Sequence, residues 1–310
     1  MIIKHELTGS AAALEKMAGQ AASGPGVNGL LILSCDANRF SPETLDPILA
    51  SIPVPVIGGI FPSLVLGKTV FEKGSIVVGL TDLIEVHTIE YLSEDGIDYE
   101  DILDEKIPDI GAGKTMIVFV DGFARRISAF MDSLFTVFGL EISYIGGGAG
   151  SLSMEQKPSV MTRRGLVRDC GVIALLDTAS GIGVNHGWTA LEGPFRVTRS
   201  ENNIIRELEW QPALEVYQET VSRLAGRQLT PDTFFDIAKA FPFGINRLDN
   251  EQIVRDPIQT TADKGIVCVG EIPEGVFVSI LSADTDSLIE AAGKAVRIGI
   301  DSFPGSGSVS

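Results

Sequence analysis

The sequence predicts an α/β protein of mixed α+β character, with internally duplicated strand–helix–strand units and mixed sheets, followed by a smaller α+β portion. Three observations predict it. Up to Asp177, short apolar runs alternate with amphipathic stretches. Across that region a single order of elements occurs twice. Beyond Asp177 the text changes to helical patterns followed by strands and turns. With 310 residues the chain exceeds a single modest core. Two domains are expected, 1–190 and 191–310, with the boundary falling between Asp177 and Pro194.

The elements follow in order. The N-terminus reads as a short strand and an alanine-rich amphipathic helix, with no signal-peptide core. Gly29 to Ser34 is a buried strand, followed by the turn Cys35-Asp36-Ala37-Asn38. Ser41 caps a helix with Pro42 at its first position. Pro55 to Gly59 forms a second buried strand ending in a glycine pair. Thr69–Phe71 and Ser75–Leu80 are expected to form a hairpin turned at Gly74. The order then repeats. Met116 to Val120 leads to Asp121-Gly122, and a helix follows to Phe138 with Ile127, Phe130, Leu134 and Phe138 on one face. A strand from Ile142 ends in Gly146 to Gly150, and a second hairpin turns at Thr162-Arg163-Arg164-Gly165. Repetition of this whole unit reads as an internal duplication. Further on, Gly183 to Trp188 reads as a strand. Ser200 reads as the cap of a helix with Asn203 at its third position. Helices are expected from Pro212 and Thr230, and a last one behind Asp284 or Thr285.

Composition narrows the partners. The formal net charge is −17, which repels phosphate backbones and anionic leaflets, so nucleic acid and membrane insertion are excluded as partners. The uncharged stretch from Pro47 to Gly67 is long enough to span a bilayer. Pro47, Pro53, Pro55 and Pro62 interrupt it, and their broken backbone pairing is costly in lipid. The three cysteines, Cys35, Cys170 and Cys268, are scattered, as in a cytoplasmic protein without a disulfide framework. The three histidines are equally scattered, so no metal-ligand spacing is written locally. No cofactor motif is present; the glycine run lacks the Lys-Ser/Thr of a phosphate-binding loop.

Several stretches read together as a pattern. Gly187-Trp188 is followed by Val197-Thr198, Asn203-Ile204, Leu208 and Pro212-Ala213-Leu214-Glu215-Val216-Tyr217. Pro242-Phe243-Gly244-Ile245 and Val254-Arg255-Asp256-Pro257 come later, and Val56-Ile57-Gly58-Gly59 and Gly147-Gly148-Ala149-Gly150 lie upstream. In these motifs the chain resembles the FIST family over roughly residues 25 to 300. The resemblance implies an N-type module over 1–190 and a C-type module over 191–310. It implies a sensory function: binding of small ligands of amino-acid or carboxylate type, with a separate signalling protein as output partner. It also implies further strands and a Gly-Glu motif beyond Ser310, which would leave the C-type module truncated here.

The candidate ligand residues are Asp36, Gly58, Gly59, Asp121, Gly147, Gly148, Gly150, His186, Trp188, Asn203 and Arg255. Asp36 and Asp121 end equivalent strands, where α/β proteins bind ligands. Each either holds an ammonium group or closes an Asx-turn. The glycine corners either cradle an anion with backbone N–H groups or allow close backbone packing. His186 and Trp188 supply a polar edge and an aromatic wall, with Trp188 favoured as core. Asn203 is a candidate for helix-end hydrogen bonding. Arg255 either grips a carboxylate bidentately or pairs with Asp256. No catalytic residues are assigned. The competing reading is an enzyme on phosphorylated or acyl substrates, using the glycine loop with Cys35 or Cys170 as nucleophile.

Overall fold

The computed structural model describes residues 2–107, 110–153, 155–246 and 252–305. The chain divides into two compact units: residues up to Ile182 with the tail residues 303–305, and Gly183–Ser302.

The first unit repeats one plan twice. The first copy runs β1 (Ile2–Glu6), α1 (Ala11–Ala22), β2 (Gly29–Cys35), α2 (Pro42–Ser51), β3 (Val56–Phe61), the small hairpin β4 (Leu64–Leu66) and β5 (Thr69–Phe71), and β6 (Ser75–Leu80). The second runs β7 (Leu83–Glu90), α3 (Tyr99–Lys106), β8 (Thr115–Asp121), α4 (Ile127–Phe138), β9 (Ser143–Ala149), the hairpin β10 (Val160–Thr162) and β11 (Gly165–Val167), and β12 (Cys170–Leu176). One sheet has the order β1-β6-β2-β3-β10-β11 and the other β7-β12-β8-β9. The first four strands of each are equivalent, so the duplication read from the sequence is a repeat in three dimensions. β2–β3 and β8–β9 are parallel, as a strand–helix–strand crossover requires, and the flanking pairs are antiparallel.

The two sheets pack face to face. Leu31, Leu33, Ile57, Val78 and Val160 of one meet Phe119, Val172, Ala174 and Leu176 of the other in a shared cluster. Helices α1 and α2 cover the outer face of the first sheet through Leu14, Ala18, Leu45 and Leu49. Helices α3 and α4 cover the outer face of the second through Leu103, Phe130 and Leu134, with Tyr99 set edge-on to Phe130. The result is four layers. Strands buried on both faces cannot alternate polar and apolar, which is why Gly29–Cys35 and Cys170–Leu176 read as continuous apolar runs. Each fully buried Leu or Phe here contributes about 1.5–3 kcal/mol. The helix starts follow local chemistry. Pro42 opens α2 behind a Ser41/Thr44 capping box, and Ser10 caps α1 by accepting from Ala13 N–H.

In the second unit a long bent strand, β13 (Thr189–Glu201), leads to β14 (Ile204–Leu208) and the two-residue β15 (Gln211–Pro212). Next come α5 (Ala213–Ala225), α6 (Phe234–Ala238), β16 (Phe243–Asn246), β17 (Gln252–Arg255), β18 (Pro257–Thr260), β19 (Ile266–Cys268), β20 (Phe277–Ser282) and α7 (Thr285–Asp301). The sheet order is β17-β16-β20-β13-β14-β19-β18, with β15 on β14. Helices α5 and α6 pack on it around Tyr217, which is fully buried and donates its hydroxyl to Phe241 O at 2.7 Å. The hydroxyl thus lies inside the core, satisfied by a carbonyl.

Four local readings are corrected. Thr69–Phe71 does not pair with Ser75–Leu80. β5 pairs with β4, while β6 lies between β1 and β2, because its apolar run needs cover on both faces. Ser200 does not start a helix: β13 continues to Glu201, turns at Asn202 with φ 52°, and returns as β14. The cap-like residues make a hairpin turn, and Val197, Ile205 and Leu208 supply its buried face. Gly183 to Trp188 is not a strand, so alternation does not govern His186 and Trp188. Gly183 and Gly187 instead press against α7, where side chains would meet Ala295 O at 1.8 Å and Ser287 O at 2.7 Å. Finally, Asp36 and Asp121 are not equivalent. The registers pair Cys35 with Phe61 and Asp121 with Ala149, so Asp121 stands at the place of Cys35.

Candidate functional site

Gly58 and Gly146 occupy matching places in β3 and β9. A methyl group on Gly58 would lie 1.8 Å from Ile32 O, and one on Gly146 would lie 1.7 Å from Val118 O. Both positions require glycine because the neighbouring parallel strand leaves no space for Cβ. The glycine pairs of the sequence are therefore first a packing signal.

The two corners converge, and they do so in direct contact. A methyl on Gly59 would sit 2.8 Å from Ala149 Cβ, and Gly150 N–H donates to Ile60 O at 2.8 Å. Phe61 and Phe119 meet edge to face beneath them at 5.6 Å. The loop 150–159 laces the corners together. Ser151 Oγ donates to Asp36 Oδ2 at 2.7 Å, and Ser159 O accepts from Ile60 N–H at 2.8 Å.

Asp121 is fully buried. Its Oδ1 accepts from Phe123 N–H at 3.0 Å, and its Oδ2 from Gln156 Nε2 at 2.8 Å and Asp169 N–H at 2.7 Å. These donors balance the burial of a carboxylate without a cation. They also tie the end of β8 to the loop 150–159 and to the entry of β12. Gly146, Gly147 and Gly148 are exposed, unlike Gly58 and Gly59, and Gly147 has open space where a side chain would project.

The remaining sequence candidates lie in the second unit. His186 Nδ1 accepts from Trp188 N–H at 3.0 Å, and both residues are half-buried. Asn203 fixes the β14–β19 pairing, with Nδ2 donating to Cys268 O at 3.0 Å and its carbonyl accepting from Cys268 N–H at 2.8 Å. Arg255 donates from Nε to Glu271 O at 3.0 Å and from Nη1 to Val254 O at 3.1 Å.

A cavity of about 180 Å³ in this unit is lined by Arg196, Val197, Thr198, Trp210, Glu274 and Gly275. Trp210 is 69% exposed and sits at φ 60° in the tight turn between β14 and β15. Its N–H donates to Thr198 Oγ1 at 2.9 Å, and the Arg196 guanidinium lies 5.8 Å from its ring centre. Neither Arg196 nor Glu274 enters an ion pair among the described residues. The sequence reading missed this group. Its one signal was a tryptophan between two polar residues, Glu209 and Gln211, a composition that does not suit a core.

The thiols are poor nucleophiles. Burial, then the nearby Asp121, Glu90 and Asp169 carboxylates, pushes Cys170 up to about 12. Burial also raises Cys35 and Cys268. No group of three or more His, Cys, Asp or Glu side chains suited to a metal occurs among the described residues. No helix among the described residues is long and apolar enough to cross a membrane.

The fold defines a class: a duplicated four-layer module followed by an α/β module with a small polar cavity. The comparison with family models gives the particular family. The FIST N domain matches residues 29–211 and the FIST C domain matches residues 213–303. The chain belongs to the FIST family, whose domains are sensory domains of signal-transduction proteins and bind small ligands. No curated protein matches the chain. The family models meet near residue 212, whereas the compact units divide after Ile182. The difference is β13 and β14, which fall in the N model but pair with β20 and β19 of the second unit.

Proposed function

We propose that this chain is the ligand-binding component of a signalling system, and that it takes amino acids or similar small carboxylates in the cavity beside Trp210. The observation that carries this reading is Trp210 itself. A large apolar ring is held out toward solvent, in a left-handed backbone conformation, beside an arginine that enters no ion pair among the described residues. Such strain persists where the surroundings impose it, and it gathers at ligand clamps. The chemistry suits a zwitterion. Arg196 offers a fork for a carboxylate, Glu274 a charge for an ammonium group, and the indole a wall for a short side chain. The cavity is below the roughly 300–1,000 Å³ of drug-sized sites, which favours a metabolite. A separate signalling protein reads the bound state through a shift in conformational populations.

The test is a thermal-shift and calorimetric screen of amino acids, matched carboxylates lacking the amine, and matched amines. Amino acids are expected to stabilise the chain. Arg196→Ala is expected to weaken binding about ten- to hundredfold, as for a lost charge-assisted hydrogen bond of roughly 1.5–3 kcal/mol. Equal binding by wild type and Arg196→Ala, or stabilisation by none of the compounds, overturns the reading. The competing cysteine-based enzyme requires a thiolate near neutral pH, which the burial of all three thiols opposes.

A further inference from the structure

The geometry points to the free edge of β9 as a self-association surface, where a second copy of this chain adds its own β9 antiparallel and joins the two four-stranded sheets. The two sheets of the first unit end in four edge strands. β1 carries Lys4, His5 and Glu6; β7 carries Glu85, His87 and Glu90; β11 is flanked by Arg163, Arg164 and Arg168. Charges of this kind keep sheet edges from pairing with other chains. β9 has none, and the run from Ile142 to Ser153 contains no charged residue.

The internal repeat shows what such an edge accepts. The equivalent strand β3 is completed by β10, antiparallel, with Val160, Met161 and Thr162 opposite Gly59, Gly58 and Ile57. Ile57 is fully buried there, while its counterpart Ile145 in β9 is 44% exposed. Among the described residues no strand of the chain completes β9. The hairpin that follows β3 is tethered by only Pro62 and Ser63, whereas the loop 150–159 leads to the hairpin that reaches β3. Two residues span at most about 7 Å.

The occupant follows from charge and shape. With a net charge of −17, two copies repel over most of their surfaces. At β9 they present uncharged backbone, and Gly147 and Gly148 raise no side chains against an approaching strand. An antiparallel pair of identical strands is two-fold symmetric, so it closes as a dimer instead of growing into a filament.

The test is molar mass by light scattering across a concentration series, for wild type, Gly147→Lys, Gly147→Glu, Ile145→Lys and, as a control on the charged edge, Ile3→Lys. Space beyond Gly147 lets either charged side chain fit the fold, and unchanged thermal melts confirm it. The expected result is a wild-type dimer, favoured by added salt, a dimer for Ile3→Lys, and monomers for the three β9 variants. A wild type that stays monomeric at every concentration, or β9 variants that remain dimeric, overturns the inference. Neither readout involves the Trp210 cavity, so failure here leaves the ligand proposal standing.

Discussion

Replacing Gly58 with alanine tests the strand packing that the glycine pairs exist to allow. The added methyl would sit 1.8 Å from Ile32 O, against an ordinary contact beginning near 3.4 Å, so β2 and β3 must separate locally by roughly 1.5 Å. Ladder hydrogen bonds of about 2.9 Å do not survive that displacement. The loss of two such bonds, at about 1 kcal/mol each, and the strain of overpacking come to about 3 kcal/mol. Gly58 has no escape, because β3 is held between β2 and β10. Gly146 faces the same clash with Val118 O but lies on a strand that within one chain is held only by β8 and can move outward, so in the monomer, at low protein concentration, Gly146→Ala should cost only about 1 kcal/mol. Gly147→Ala, with open space, should fall within about 0.5 kcal/mol of wild type. In a unit of this size each 1 kcal/mol lowers Tm by about 2–4 °C, giving roughly 6–12 °C for Gly58→Ala and 2–4 °C for Gly146→Ala. Urea and thermal melts of the full-length chain measure all three. A silent Gly58→Ala, or a Gly146→Ala that costs more, refutes the reasoning.

Three further outcomes follow. The native protein should resist alkylation by iodoacetamide near neutral pH, and all three cysteines should react once it is unfolded. Rapid labelling of any native thiol contradicts the burial of these groups. Because the folded pKa of Cys170 is raised to about 12, its contribution is whole below the unfolded thiol value near 9 and is lost as pH rises between the two. Melts from pH 8 to 12 should show a stability loss that Cys170→Ala reduces. Asp121→Ala leaves two backbone N–H groups and the Gln156 amide without their acceptor, and should destabilise by about 3 kcal/mol in urea melts.

Much of the first unit was legible because its signals are local. The duplicated order, the Ser41-Pro42 helix start, the apolar face of α4 and the turn at Arg163-Arg164 all read correctly from spacing alone. The failures needed non-local information. Whether Ser75–Leu80 joins a neighbouring hairpin or inserts between distant strands depends on where both its apolar faces find cover. Ser200 to Asn203 carries residues equally suited to a helix cap and a β-turn, and pairing with β14 and β20 decides between them. Sequence could not tell close backbone contact from an open cradle, because both use glycine for its missing side chain. Trp210 escaped notice because exposure is a property of the folded surface.

The exchange of β10–β11 onto β3 has a consequence for biosynthesis. The first repeat leaves the ribosome with its outermost parallel strand bare, and the segment that seals it is encoded roughly 100 residues later. At about 5–20 residues per second, that strand waits some 5–20 s for its cover. The nascent chain is most in need of a chaperone during that interval, and slowing translation between the two repeats should lower the yield of folded protein more than slowing it anywhere after Val167.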